Sequence, residues 1–246
     1  MDQDIIQIPE EESVGLTTLQ HLSEAERLNQ WMFETILPYA HGRVLEIGSG
    51  IGNISSQFVR AGVPIALSDL DAQYCRILHN RFDSESLVRG IHQIDLAHPS
   101  FEKVYRDLLG QFDTVFALNV VEHIADDRLA ISNARSLLAP KGRLIILVPA
   151  YSILYNGIDK GLDHYRRYTQ KSIRQLLSGQ FEVLRTWYFN LAGIFGWFFS
   201  GNVLGKTTLP AGQLSLYNKF VPLFRVADAV TFHQAGLSVI AVGQKR

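Results

Sequence analysis

The sequence predicts an α/β fold in which a parallel sheet carries helices on both faces. Short apolar runs at 43–47, 64–68, 90–94, 112–118 and 143–148 alternate with stretches of helical periodicity. Each run is nearly all apolar, as strands buried on both faces must be. The first run ends in Gly48-Ser49-Gly50-Ile51-Gly52, a glycine turn that opens a helix.

The elements follow in order. Residues 1–13 hold five acids and are expected to form a mobile N-terminus; residues 14–246 are expected to form a single domain. Ser23-Glu24-Ala25-Glu26 matches a capping box, and Leu28, Trp31, Met32 and Ile36 follow at helical spacing up to Pro38. Helical spacing assigns Trp31 to the core rather than to a cover over a ligand. Helices are expected over 54–61, 72–82 with Asp71 as N-cap, 100–109 and 127–138, followed by a turn at Pro140-Lys141-Gly142. After Pro149 the pattern changes. Residues 151–168 are aromatic and basic and suggest an active-site loop. Thr169 caps a helix over 170–177, and strands follow at 181–189 and 236–243, making seven. Between the last two lies an insertion, 190–234, rich in glycine and aromatics, which the pattern suggests as an acceptor-side lid.

Composition narrows the function. The chain has 246 residues, 47% hydrophobic and 19% charged, with a net charge of −1. Nothing in that balance draws the whole chain to nucleic acid. One cysteine, Cys75, excludes an intrachain disulfide and a cysteine-rich zinc site, and its helical position suggests an inert thiol. The start, Met1-Asp2-Gln3-Asp4, is acidic and lacks the marks of a secretory signal, so a cytoplasmic location is expected, or one at the inner membrane face. Thr186 to Gly205 carries no charge over twenty residues, but polar residues and glycines interrupt it. Surface contact with a membrane through 190–205 fits it better than a span.

Chemistry concentrates at the strand ends. Glu46 precedes the glycine turn, where a carboxylate would repel a pyrophosphate and attract a cationic tail. The third glycine falls at the fifth position and Asn53 at the sixth, which departs from the dinucleotide fingerprint. Asp69 lies 21 residues past Gly48 and can accept two ribose hydroxyls, with Leu70 beside it. Asp95 can accept an adenine amino group, with Leu96 packing nearby. Together these describe a site for an adenosine with a charged, phosphate-free tail.

On these residues the sequence resembles the class I S-adenosylmethionine-dependent methyltransferases. The likeness covers Arg43 to Val148 in motif order and the last strand. It implies a Rossmann-like seven-stranded sheet whose last strand is antiparallel. It also implies a cofactor site made by Glu46, Gly48, Ser49, Gly50, Gly52, Asn53, Asp69, Leu70, Asp95, Leu96 and Asn119. Asn119-Val120-Val121-Glu122-His123-Ile124, Val148-Pro149-Ala150 and Asp163-His164-Tyr165-Arg166-Arg167-Tyr168 look like a bacterial subgroup associated with sugar or lipid modification. Ubiquinone-biosynthesis O-methyltransferases share the Glu-His pair, and there an earlier glutamate joins it at a metal. Asn119 stands at that place here, so no metal is expected.

Glu122 and His123 either serve the reaction, with His123 as general base, or brace the loop. His164, Tyr165 and Arg167 are candidates to cover the cleft and meet an anionic acceptor, with one arginine of the Arg166-Arg167 pair structural. The segment 181–199 holds eight aromatics where composition predicts about two. These suit an apolar acceptor pocket, a dimer face or membrane lipid. The expected reaction is methyl transfer from S-adenosylmethionine, leaving S-adenosylhomocysteine, to a hydroxyl of a small-molecule or of a lipid- or sugar-linked acceptor. The competing readings are N- or C-methylation, a nicotinamide-dependent oxidoreductase, a partner-binding module, and another reaction on the same fold.

Overall fold

The computed structural model describes residues 19–20, 23–208 and 211–246, without the side chains of 211–213. The expected acidic N-terminus, 1–13, lies outside them.

Seven strands form one sheet in the order β3-β2-β1-β4-β5-β7-β6. Strands β1 (Val44–Ile47), β2 (Ile65–Asp69), β3 (Val88–Gln93), β4 (Phe112–Leu118) and β5 (Leu138–Pro149) pair in parallel. Strand β7 (Ser238–Lys245) runs antiparallel between β5 and β6 (Phe181–Phe189). The chain order jumps from β1 outward to β3, then back across to β4. Between β1 and β4 the sheet switches direction, and open α/β sheets bind ligands at such a point. The Pro140-Lys141-Gly142 turn survives as a bulge in β5: Phe112 faces Leu138 while Thr114 already faces Arg143.

Helices pack on both faces, so two cores form. One joins Leu45, Val115, Ile146 and Ala241 to Ile131, Ile173 and Leu177. These come from α5 (Asp127–Leu137), capped by Asp126, and α7 (Gln170–Leu177), capped by Thr169 in a capping box with Ser172. The other joins Phe116, Ile145 and Ile240 to α1 (Glu26–Ile36) and to Phe58 of α2 (Ser55–Arg60). Trp31 is buried there, 4.4 Å from Phe189, as core spacing required. Helix α3 (Ala72–Phe82) starts at Asp71, whose side chain accepts the Gln73 N–H, and it buries Cys75.

Four expectations change. The Ser23 capping box does not form: α1 begins after Ala25, and the Ser23 hydroxyl donates to Gln20 instead. The helix expected over 100–109 breaks into α4 (Phe101–Val104) and a 3₁₀ turn at Arg106–Leu108. The loop 151–168 contains a short helix, α6 (Gly157–Gly161), held by a capping box between Asn156 and Asp159. The insertion 190–234 is helical rather than irregular: α8 (Leu191–Phe198) continues into a π turn (Phe199–Val203), and α9 (Ala211–Val230) returns to the sheet. No described helix is long and apolar enough to cross a membrane.

Phe58 stacks on Phe116 with ring centroids 5.1 Å apart, and both are fully buried. This contact seats the helix after the glycine turn on the sheet. Phe116→Ala should cost about 3–5 kcal/mol of stability. Urea unfolding checks it, and a loss under about 1 kcal/mol would show that α2 is seated by other contacts.

Candidate active site

The glycine turn is held by its own strand ends. The Ser49 N–H donates to Ser68 O at 2.8 Å, and the Ser68 N–H donates back to Ser49 Oγ at 3.2 Å. Gly48 has φ +71°, and a Cβ there would lie 2.4 Å from Val120 Cγ2, so the turn presses against the loop after β4. A Cβ on Gly50 would meet the Leu19 side chain at 2.9 Å, and Asn53 Nδ2 donates to Leu19 O at 3.0 Å. Thus Leu19, before α1, lies against the turn, which the sequence did not suggest. Gly52 faces the other way, against Phe82 and Leu78 of α3, so its smallness serves helix packing.

Two acids meet at this turn. Glu46 is buried and accepts the Ser55 hydroxyl at the start of α2. Burial raises its pKa to about 7, against hydrogen bonds from Ser55 and Ser49, and Asp69 adds like-charge repulsion. Asp69 Oδ2 accepts the Gly50 N–H at 2.8 Å, and Oδ1 accepts the Asp71 N–H at 3.0 Å. Burial raises its pKa too, with these backbone bonds opposing. No cation contributes to either shift, and the turn itself contains none. Each Asp69 oxygen keeps a lone pair beyond its backbone bond. The donor set therefore suits a cationic ligand with hydroxyls, and fits the cofactor expected from the resemblance.

The other expected contacts scatter. Asp95, at the end of β3, spends Oδ1 on the Ala97 N–H at 2.7 Å and is half-buried. Leu70 is 61% exposed. Leu96 points into the core, and its carbonyl accepts Asn133 Nδ2 at 2.8 Å, so its side chain is not placed to pack on a ligand. Asn119 is exposed, with φ +55°, and its N–H donates to Leu147 O at 2.8 Å. A left-handed residue there turns the chain off β4 toward Glu122.

A second cluster sits beyond the end of β4. Asp159 of α6 is fully buried. Its Oδ1 accepts His164 Nδ1 and Arg167 Nε, each at 2.8 Å, and its Oδ2 accepts the Asn156 N–H at 3.0 Å. Burial opposes its charge, but the His164 and Arg167 bonds outweigh it and hold its pKa below the usual value. Arg167 also donates to Ala150 O at 2.9 Å and lies 4.6 Å over the Trp197 ring, leaving one buried guanidinium nitrogen unpartnered. Both Glu122 oxygens are buried without a partner, and burial drives its pKa to about 8 although Arg167 opposes this. The His123 and His164 rings meet edge to face at 4.7 Å. His123 is open on one side, yet the atoms packed on the other, and His164 after them, lower its pKa to about 4.

Of the loop residues, Tyr165 projects outward at 60% exposure. Arg166 is the bracing arginine: it pairs with Asp127 at 2.9 Å and donates to Ala125 O at 2.6 Å. Glu122, His123 and His164 each offer a donor atom, all within 4.8 Å of one another. The set could hold a divalent ion, although Asn119 argues against one in the sequence. Asp159 and Asn156 were not singled out in the sequence. The Asn156-x-x-Asp159 spacing was the available signal, since it is a helix cap.

Comparison with known proteins agrees with this geometry. A family described as "Methyltransferase domain" matches residues 20–206, three quarters of the chain. A ubiquinone biosynthesis O-methyltransferase of Xanthomonas euvesicatoria is 30% identical over 146 residues, covering 54% of this chain and 58% of that protein. The chain therefore spans less than two thirds of that relative's length. A SAM-dependent methyltransferase from Archaeoglobus fulgidus superposes with a TM-score of 0.58 at 16% identity, covering 89% of this chain and 94% of that one. Phosphoethanolamine N-methyltransferase 2 of Haemonchus contortus, solved with S-adenosyl-L-methionine, gives 0.57 at 17% identity, covering 87% and 52%. With the glycine turn, its paired acids and the seven-stranded order in place, the chain belongs to the methyltransferase-domain family.

Proposed function

We propose that this protein moves a methyl group from S-adenosylmethionine to a hydroxyl of a small-molecule or lipid-linked acceptor. The observation that carries it is the pair of buried acids, Glu46 and Asp69, whose charges no cation offsets, at a glycine turn. Glu46 meets the cationic amino-acid end, and Asp69 meets the ribose hydroxyls. Asp95, at the next strand end, is the candidate for adenine. The sulfonium is already an activated electrophile, so the protein supplies alignment and a base.

His164 suits the base better than His123. Asp159 holds Nδ1, which fixes the tautomer and leaves Nε2 free to take a proton. His123, with its pKa near 4, is a weak acceptor of protons. Asp159 is a positioning residue, for it acts through His164. A divalent ion held by Glu122, His123 and His164 would occupy that same Nε2, so it would activate an acceptor hydroxyl in place of the His164 base rather than beside it. The O-methyltransferase likeness supports a hydroxyl acceptor, and Trp197 over Arg167, whose charge Asp159 already pairs, gives the region an apolar wall.

Thermal unfolding tests the cofactor. At 100 times its dissociation constant, S-adenosylmethionine or S-adenosylhomocysteine should add about 2.7 kcal/mol, a shift of several degrees, while NAD adds none. Asp69→Ala should weaken cofactor binding about tenfold or more. Unchanged affinity in calorimetry would remove Asp69 from the site.

Cofactor affinity should depend on pH. A carboxylate binds the cationic tail and a carboxylic acid does not, and burial puts the Glu46 pKa near 7. Affinity should rise with pH through about 7 and fall above about 8 as the ligand amine loses its proton. Glu46→Gln should bind weakly and lose the rising limb. A rising limb that persists in the variant would place its cause elsewhere.

His164→Ala should lower turnover about 100-fold or more with cofactor affinity intact, and Asp159→Asn should follow it in kcat. If His123→Ala alone lowers kcat, the roles are exchanged.

A further inference from the structure

We propose that the outward faces of α8, its π turn and α9 form one docking surface for an anionic lipid bilayer. The surface goes beyond the methyl-transfer reading, and most of it lies past residue 206, where the family match ends.

The apolar exposure of this protein is concentrated there. Among the described residues sixteen large apolar side chains are exposed, and eleven of them lie between 195 and 232. Helix α9 carries its apolar stripe on the wrong side for a core. At 3.6 residues per turn Leu216, Phe220, Leu223, Val226 and Val230 share an arc of about 120°. All five are exposed. The opposite side faces the protein, with Val221 and Asp228 buried and Tyr217 and Phe224 packed on the core. Helix α8 and its π turn add Phe195, Phe198 and Phe199, with Phe195 71% exposed. The two helices pack on each other.

The surface is also fixed rather than loosely attached. Asp228 of α9 accepts the Asn190 N–H at 2.6 Å and the Leu191 N–H at 2.7 Å, which grips the start of α8. Asn190 Oδ1 accepts the Gly193 N–H at 2.8 Å and the Tyr217 hydroxyl.

Charge selects the occupant. Residues 190–234 contain Lys206, Lys219 and Arg225 but a single acid, Asp228, and that acid is buried on backbone amides. Arg225 pairs with Glu34; among the described residues Lys219 is exposed, Lys206 is half-buried, and neither makes an ion pair. Anionic headgroups meet both lysines while the phenylalanines enter the acyl boundary, as interfacial helices do. No described helix can span, so the helices lie along the surface.

The position serves an acceptor carried by lipid. Trp197 stands on the inner side of α8, with its indole N–H donating to Leu154 O at 3.2 Å and Arg167 over its ring. One helix therefore separates the second cluster from the apolar face.

Co-sedimentation with vesicles tests this, read without cofactor or acceptor so that it stands apart from the methyl-transfer reading. The full chain should pellet with vesicles that are about one third phosphatidylglycerol, and salt should release it. It should remain in solution with phosphatidylcholine alone. The variant F198S/F199S/F220S should lose roughly tenfold or more of the binding, and K206E/K219E should lose the preference for anionic lipid. Thermal unfolding checks that both variants fold. A wild-type protein that stays in solution with anionic vesicles overturns the proposal. So does a folded phenylalanine variant that binds as well as wild type, or a stable dimer in solution that the same three substitutions dissolve.

Discussion

Five parallel strands must end at one edge of the sheet, and the candidate site follows from that constraint. A strand buried on both faces has no place for a carboxylate except near its end. Glu46 and Asp69 end or nearly end β1 and β2, so the sheet brings two acids together where both are short of water. Backbone amides and serine hydroxyls keep them there without neutralising them. A pair of that kind lowers its free energy most by taking up a cation. The fold thus defines the charge of the ligand before any particular ligand is considered.

The second cluster obeys a different rule, because its charges are paired inside the protein. Asp159 brings together a histidine and an arginine that are three positions apart in one loop, and it does so from a helix of five residues. A buried pair of this sort adds little net stability, but removing one partner is costly, and so the geometry is held firmly. Glu122 stands close by with neither oxygen satisfied. A buried carboxyl without partners is a standing cost in the free protein, which a ligand, a proton or an ion can relieve. The two clusters therefore differ in kind: the first presents buried acids that no cation offsets, and the second holds a histidine nitrogen in a fixed direction.

The sequence made the periodic parts of this structure legible. The bounds of β4, β6, α3 and α7 agree residue for residue, because alternation, caps and apolar runs all pointed the same way there. Glu46 and Asp69 were legible for the same reason, as acids at the ends of recognisable strands. Leu96 was misplaced because sequence adjacency to Asp95 does not say which way a side chain faces. Asp159 was hidden because its partners, His164 and Arg167, meet it only through a turn within an irregular loop. The helices of the insertion were obscured by glycine. Gly193 and Gly196 lower the helix propensity of α8, and it forms because Asn190 and Asp228 cap it from outside the segment.

That last failure bears on function. A helix built from Leu191 to Phe198 with two glycines does not persist on propensity, and its outer phenylalanines gain nothing from facing water. The free protein holds them out by hydrogen bonds that the start of α8 donates to Asp228 and by packing of α9 on α1. Such an arrangement costs stability unless the apolar face is covered in use. The same helix supplies Trp197 to the arginine of the second cluster, so a surface that covers the phenylalanines also fixes one wall around Arg167. Docking at the outer face and acceptor binding at the inner one would then share a structural element, so a substitution on either side of α8 would be felt on the other.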